Sequence, residues 1–204
     1  MRISKIVQQE KIKDRYSVFV DEKYAFSLSE GALLESKLAT GQQLDKDELK
    51  HWKEASADDK VAGNALRYAA MRLRSVWEME QYLKRKGASP ALTEKTLNKL
   101  SNINLLNDES FAKAWVANRR LLRPISKRKL QQELRAKHIS DEVINITISD
   151  DEAGDERTSL RELIAKKRNL SKYKADPMKL MQYLARQGFN YDDIKQALNQ
   201  EEVD

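Results

Sequence analysis

Residues 81–87 read QYLKRKG, and residues 182–188 read QYLARQG. Between them, residues 132–138 read QELRAKH, so one heptapeptide recurs at steps of 51 and 50 residues. Self-similarity at a fixed period is the sequence signature of stacked structural units. The same steps relate Ser75, Ser126 and Asp176, each with a side-chain oxygen that suits a helix N-cap. Glu78 completes a capping-box pattern with Ser75, and Pro177 stands where the first helical residue would be. Met79, Leu130 and Leu180 fall in register, four residues before Leu83, Leu134 and Leu184, hence on one helical face.

A second set of caps follows at Ser89, Ser140 and Asn190, again 51 and 50 apart. Pro90 follows the first, and Asp141, Glu142, Asp192 and Asp193 supply the negative charge that a helix N-terminus favours. Leu97, Ile148 and Leu198 are in register inside these helices. Gly87 and Gly188 fit a left-handed helix end, and His138 takes that position at some cost in strain. An upstream helix precedes each capped pair, with apolar residues Leu66, Ala69, Ala70 and Leu73, then Phe111, Trp115 and Val116, then Leu160, Leu163 and Ile164. The expected fold is mainly α, with three tandem three-helix repeats at 57–103, 104–150 and 151–204. Each buries too little alone, so the units should stack into an elongated curved array.

Ahead of the repeats, residues 1–56 read as a small N-terminal β-hairpin and helices. Tyr16, Val18 and Val20 form one strand and Tyr24–Leu28 another, around the polar break Asp21-Glu22-Lys23. Ile3, Ile6 and Val7 offer a third strand. Ser29 caps a helix that Gly41 ends, and Asp45 with Glu48 starts the next.

The chain has 204 residues, 34% charged and 40% apolar, with 38 Lys and Arg against 32 Asp and Glu, a net charge of +6. The absence of Cys excludes disulfide scaffolds, thiolate metal sites and thiol catalysis. Two His residues, His51 and His138, make a His-based triad or metal site a poor expectation. The sequence contains no apolar run of membrane-spanning length and no secretory signal, so the expected location is cytoplasmic. Ser126-x-x-Lys129 lacks the companion motifs of a serine acyl-enzyme and is better read as a cap. Asn145-Ile146-Thr147 has the form of a glycosylation sequon, with nothing to suggest secretion. The run Asp150, Asp151, Glu152, Asp155, Glu156 lacks calcium-loop spacing and reads as an acidic loop and helix start. Trp52, Trp77 and Trp115 read as core or inter-repeat packing. No catalytic residue, cofactor or metal is expected.

The charge is uneven. Residues 1–56 hold 10 basic and 10 acidic residues, 57–150 hold 18 and 11, and 151–204 hold 10 and 11. Within 113–137, nine cations face only Glu133. The candidate partner- or DNA-binding residues are Arg119, Arg120, Arg123, Lys127, Arg128 and Lys129, followed by Arg72, Arg74, Lys84, Arg85 and Lys86. A stripe of such residues suits the phosphates of an extended polyanion or an acidic protein surface. The bland alternatives are a solvated face and, for the groups at helix C-termini, complementarity with the helix dipole.

These residues resemble the RecX family of bacterial regulators of the RecA recombinase. Residues 72–78 (RLRSVWE) through 83–87 (LKRKG) look like the family's R-x-R-S-x-x-E…L-x-x-K-G segment, and 104–112 (NLLNDESFA) look like its G-L-L-x-D-x-x-F-A segment. Residues 126–137 (SKRKLQQELRAK) look like the helix that follows. Asn104 and His138 replace frequent glycines. The resemblance implies a non-enzymatic protein that binds the RecA nucleoprotein filament and the DNA within it; a monomer is the expected state, though the sequence does not fix it. It implies modulation, in the inhibitory direction, of ATPase and strand exchange in recombination, DNA repair and the SOS response. The alternative is a stand-alone DNA-binding helical-repeat module that does not act on RecA.

Overall fold

The structure is a computed structural model that describes residues 1–151 and 155–200. The chain opens with three strands, β1 (Ile3–Gln8), β2 (Arg15–Val20) and β3 (Lys23–Ser29), in one antiparallel sheet of order β1-β2-β3. The expected hairpin is thus a three-stranded sheet, because Ile3 and Ile6 pair with Val20 and Val18 and extend the buried face. Asp21 and Glu22 make the β2–β3 turn with φ of 48° and 63°, the left-handed pair that a tight hairpin demands. Two bonds from the start of the chain, 18 and 19 residues away, support it without glycine: Asp21 Oδ1 accepts from Arg2 N–H at 2.9 Å, and Glu22 N–H donates to Ser4 Oγ at 3.1 Å.

Two helices follow, α1 (Glu30–Ser36) and α2 (Lys46–Ala70). Ser29 caps α1 as expected, but Lys37, with φ 54°, makes its left-handed end, and Gly41 lies beyond it in the connection. There a side chain on residue 41 would crowd the Arg2 guanidinium, which packs at 3.2 Å. Asp45 and Glu48 form the full reciprocal capping box of α2. The sheet core is Ile3, Val18, Val20, Phe26 and Leu28 with Leu38 and Leu44, and Trp52 packs against it. Arg15 ties β2 to α2: it donates to Ser27 Oγ and Ser27 O, both at 2.9 Å, and pairs with Asp59 Oδ2 at 2.9 Å. Asp59 in turn accepts from Ser29 N–H and Oγ–H.

The remaining helices are α3 (Val76–Arg85), α4 (Pro90–Asn102), α5 (Asp108–Leu122), α6 (Lys127–Arg135), α7 (Asp141–Ser149), α8 (Glu156–Arg168), α9 (Ser171–Lys174), α10 (Pro177–Arg186) and α11 (Tyr191–Gln200). They give three three-helix repeats, α2–α4, α5–α7 and α8–α11. The third carries the one-turn α9, which the periodicity did not suggest, with Tyr173 buried in its core. Met79, Leu130, Leu180, Leu83, Leu134 and Leu184 are all buried. In the first helix of repeat 1 the buried pair is Ala65 and Ala69, whereas Leu66 and Ala70 are exposed, and Leu73, also exposed, lies beyond the end of α2.

All three second helices end in the same way. Ala88, Ile139 and Phe189 donate their N–H groups to Leu83, Leu134 and Leu184 O, and Gly87, His138 and Gly188 donate to Lys84, Arg135 and Ala185 O. This is the paired bonding of a Schellman end, with the pivot residue at φ 77°, 58° and 90°. The chain divides into two compact units, one of Met1–Arg72 with Met79–Leu106, the other of Leu73–Glu78 with Asn107–Asp204.

Candidate functional site

In the first unit, Lys84 and Arg85 lie in the last turn of α3, where the helix dipole favours cations. They and Lys86 are exposed and make no ion pair among the described residues. Lys86 Nζ lies 5.7 Å from the centre of the Tyr82 ring, itself stacked on Tyr68 at 4.1 Å. Arg72 is also exposed, whereas Arg74, in the second unit, is only 6% exposed.

In the second unit the structure sorts the expected cations into two kinds. Arg119 holds Glu133 with two bonds, Nε at 2.8 Å and Nη2 at 2.5 Å, and Trp115 Nε1 donates to the same carboxylate at 3.1 Å. Arg120 pairs with Asp151 at 2.8 Å, both side chains nearly out of solvent, and also donates to Ile125 O. Arg135 pairs with Asp141 and Lys137 with Glu78, each at 2.8 Å. These four hold helices together. Lys113, Arg123, Lys127, Arg128 and Lys129 make no ion pair among the described residues.

Lys127, Arg128 and Lys129 form the first turn of α6, which contains no acidic residue. A helix N-terminus carries partial positive charge, so three cations there oppose the dipole. The helix-dipole explanation that suits Lys84 and Arg85 fails for this triplet. Of the triplet, Arg128 is exposed and Lys127 and Lys129 are half-buried. Arg123, in extended backbone just after α5, is exposed, and Leu121 and Leu122 beside it are 85% and 75% exposed.

The frame behind the triplet is rigid. Ser126 Oγ accepts from Lys129 N–H at 3.0 Å and donates to Gln187 O at 2.7 Å, so the start of α6 is seated on the end of α10. A side chain on residue 188 would overlap Ser126 Oγ and come within 3.1 Å of Lys129 N. The start of α3 meets the end of α6 through different contacts, the Glu78–Lys137 pair and the stacking of Trp77 on His138 at 4.3 Å. At the start of α5, Asp108 accepts from Val76 N–H at 2.8 Å, and burial pushes its carboxyl above the usual range. Of the acidic run, Asp151 is the partner of Arg120 and Asp155 caps α8, while Glu152 lies outside the described residues.

Among the described residues no group of three or more His, Cys, Asp or Glu is placed to hold a metal ion, and no helix is long and apolar enough to cross a membrane. Sequence reasoning did not identify a basic groove between the sheet and α2, because its cations are seven residues apart in a stretch of balanced charge.

Four family models match in order: the regulatory protein RecX N-terminal domain at residues 1–45 and the first, second and third RecX three-helix domains at 64–100, 107–148 and 155–198. The regulatory protein RecX of Bacillus subtilis is 31% identical over 99% of this chain and 78% of its own length. That of Listeria monocytogenes is 30% identical over 97% of this chain and 74% of its own length. A crystal structure of regulatory protein RecX, 24% identical, shares the fold with a TM-score of 0.76 over 97% of this chain and 98% of that one. RecX from Lactobacillus salivarius, 22% identical, gives 0.62 over 74% of this chain and 99% of that one. With its sheet and all three helical repeats matched in order, the chain belongs to the RecX family of regulatory proteins.

Proposed function

We propose that the chain is a non-enzymatic regulator that binds the RecA nucleoprotein filament and inhibits its ATPase and strand-exchange activity. The observation that carries this reading is the Lys127-Arg128-Lys129 turn, placed against the helix dipole on a rigid seat. Stability alone would put acidic residues there, as in α5 and α7. Cations in that position serve an external anion, either filament DNA or acidic side chains of the recombinase. Exposed Arg123, Lys84, Arg85, Lys86 and Arg72 extend the binding residues, buried Arg74 lies off the surface a partner meets, and Arg119 and Arg120 brace the helices through Glu133 and Asp151. The exposed Leu121 and Leu122 supply apolar contact that bare DNA does not need, which favours a filament containing protein.

The test adds the purified chain to RecA filaments preformed on single-stranded DNA and follows ATP hydrolysis at fixed salt. Hydrolysis is expected to fall with added chain and to recover when Arg123, Lys127, Arg128 and Lys129 are replaced by Gln. No effect at several-fold excess, together with tight DNA binding in the absence of RecA, would establish the stand-alone DNA-binding module instead.

A further inference from the structure

The first unit contains a groove of about 450 Å³ between β2–β3 and α2, outside every residue assigned above. Its α2 wall presents Lys53, Lys60 and Arg67, all exposed, at intervals of seven residues. Seven residues are close to two helical turns, so the three cations share one face and span about 21 Å at about 1.5 Å per residue. None makes an ion pair among the described residues; Arg67 Nη2 donates to Asn64 Oδ1 at 2.6 Å, a neutral partner. No carboxylate lines the groove. The nearby Asp59 is committed to Arg15 and Ser29. On the opposite wall, Tyr24 is 59% exposed, its ring supported edge-on by Phe19 at 6.1 Å.

We infer that this groove binds single-stranded nucleic acid, with phosphates along Lys53, Lys60 and Arg67 and a base stacked on Tyr24. The cations lie in a line, as a polyanion with regularly spaced charge requires, and positive grooves combined with exposed aromatic rings suit unpaired strands. A duplex offers Tyr24 no free base. An acidic peptide would want an enclosed apolar pocket for anchoring, yet Phe26 in the groove wall is closed to 2% exposure and Ile12, at 39%, is the one large aliphatic side chain open along the lining. The site is separate from the α6 turn and needs no recombinase, so it stands or falls apart from the proposed function.

The test is fluorescence anisotropy of labelled oligothymidylate of twenty nucleotides with the full chain, at several salt concentrations and without RecA. Replacing Lys53, Lys60 and Arg67 together by Gln should weaken binding at least tenfold. It should also reduce the slope of log affinity against log salt by about 2, because each single-strand phosphate that a cation neutralises adds about 0.7 to that slope. Tyr24→Phe should bind as the parent does, and Tyr24→Ala about tenfold more weakly with little change in slope. All of these side chains are exposed, and an unchanged thermal melt will show that the variants fold. The inference is overturned if affinity and slope survive the triple replacement. It is also overturned if a duplex of equal length depends on these residues as strongly, or if poly-L-glutamate competes as well as oligothymidylate does.

Discussion

Gly188 and His138 occupy equivalent places in successive repeats, yet they answer to different constraints. Both sit in left-handed backbone, at φ 90° and 58°. At Gly188 the neighbouring repeat fills the space where a side chain would go, since Ser126 Oγ and Lys129 N press on it. At His138 the space is open to the Trp77 ring, and the stacking offsets the strain of a non-glycine residue. Gly188→Ala should therefore cost about 2 kcal/mol or more, from left-handed strain plus displacement of the Ser126 cap. His138→Gly should change stability by less than about 1 kcal/mol, because relieved strain and lost stacking nearly cancel. Chemical denaturation of the two variants will separate them, and equal losses would refute the account. The caps and the left-handed ends of the three second helices were legible in the sequence, since they use side chains within a few residues of the backbone they serve; the end of α1 was not, because Lys37 rather than Gly41 takes the left-handed position. The seat of Ser126 on Gln187, 61 residues away, was not, because nothing local to Ser126 distinguishes it from a simple cap.

The helix α6 shows how an element can be shaped against its own stability. Leu130 and Leu134 are fully buried, and the Ser126 cap and the Schellman end close both termini. Only the first turn goes against the rules, with three cations where α5 and α7 carry acids. Replacing Lys127, Arg128 and Lys129 by Gln should raise stability at low salt by about 1 kcal/mol, as unfavourable dipole interactions are relieved. The same replacement should raise several-fold the concentration needed to inhibit filament ATP hydrolysis. Opposite signs in a thermal melt and an inhibition assay are what a functional placement requires. Loss of both stability and inhibition would mark the triplet as structural. Its charge was visible in the sequence; its position at a helix start came from the repeat offsets, which place Ser126 beside it as the cap.

Across the whole chain, the count of cations is a poor guide to the field that a partner meets. The nine cations of residues 113–137 suggested one strongly positive stretch, but four of them pair with Glu133, Asp151, Asp141 and Glu78. Glu133 lies within that stretch and Asp141 just beyond it, but Asp151 and Glu78 lie 31 and 59 residues from the cations they hold, beyond any local reading of charge. Residues 1–56 balance to zero, yet Lys53 joins Lys60 and Arg67 on one carboxylate-free wall, because folding sorts charge by face rather than by segment. The two populations should respond differently to neutralisation. Arg119→Gln with Arg120→Gln removes guanidinium groups from largely buried carboxylates, so it should lower stability by about 3 kcal/mol or more. Its direct effect on the salt dependence of polyanion binding should be small, since those charges are already compensated. Replacing Lys84, Arg85, Lys86, Arg123 and Arg128 by Gln should leave the thermal melt nearly unchanged, because exposed unpaired cations contribute little to folding. It should nevertheless flatten the slope of log affinity against log salt by about 0.7 for each replaced cation that had neutralised a phosphate of a single strand. Melting curves and salt titrations on the two variants check both halves. A steep loss of slope with Arg119 and Arg120, or of stability with the exposed five, would mean that internal pairing does not decide which charges reach the partner.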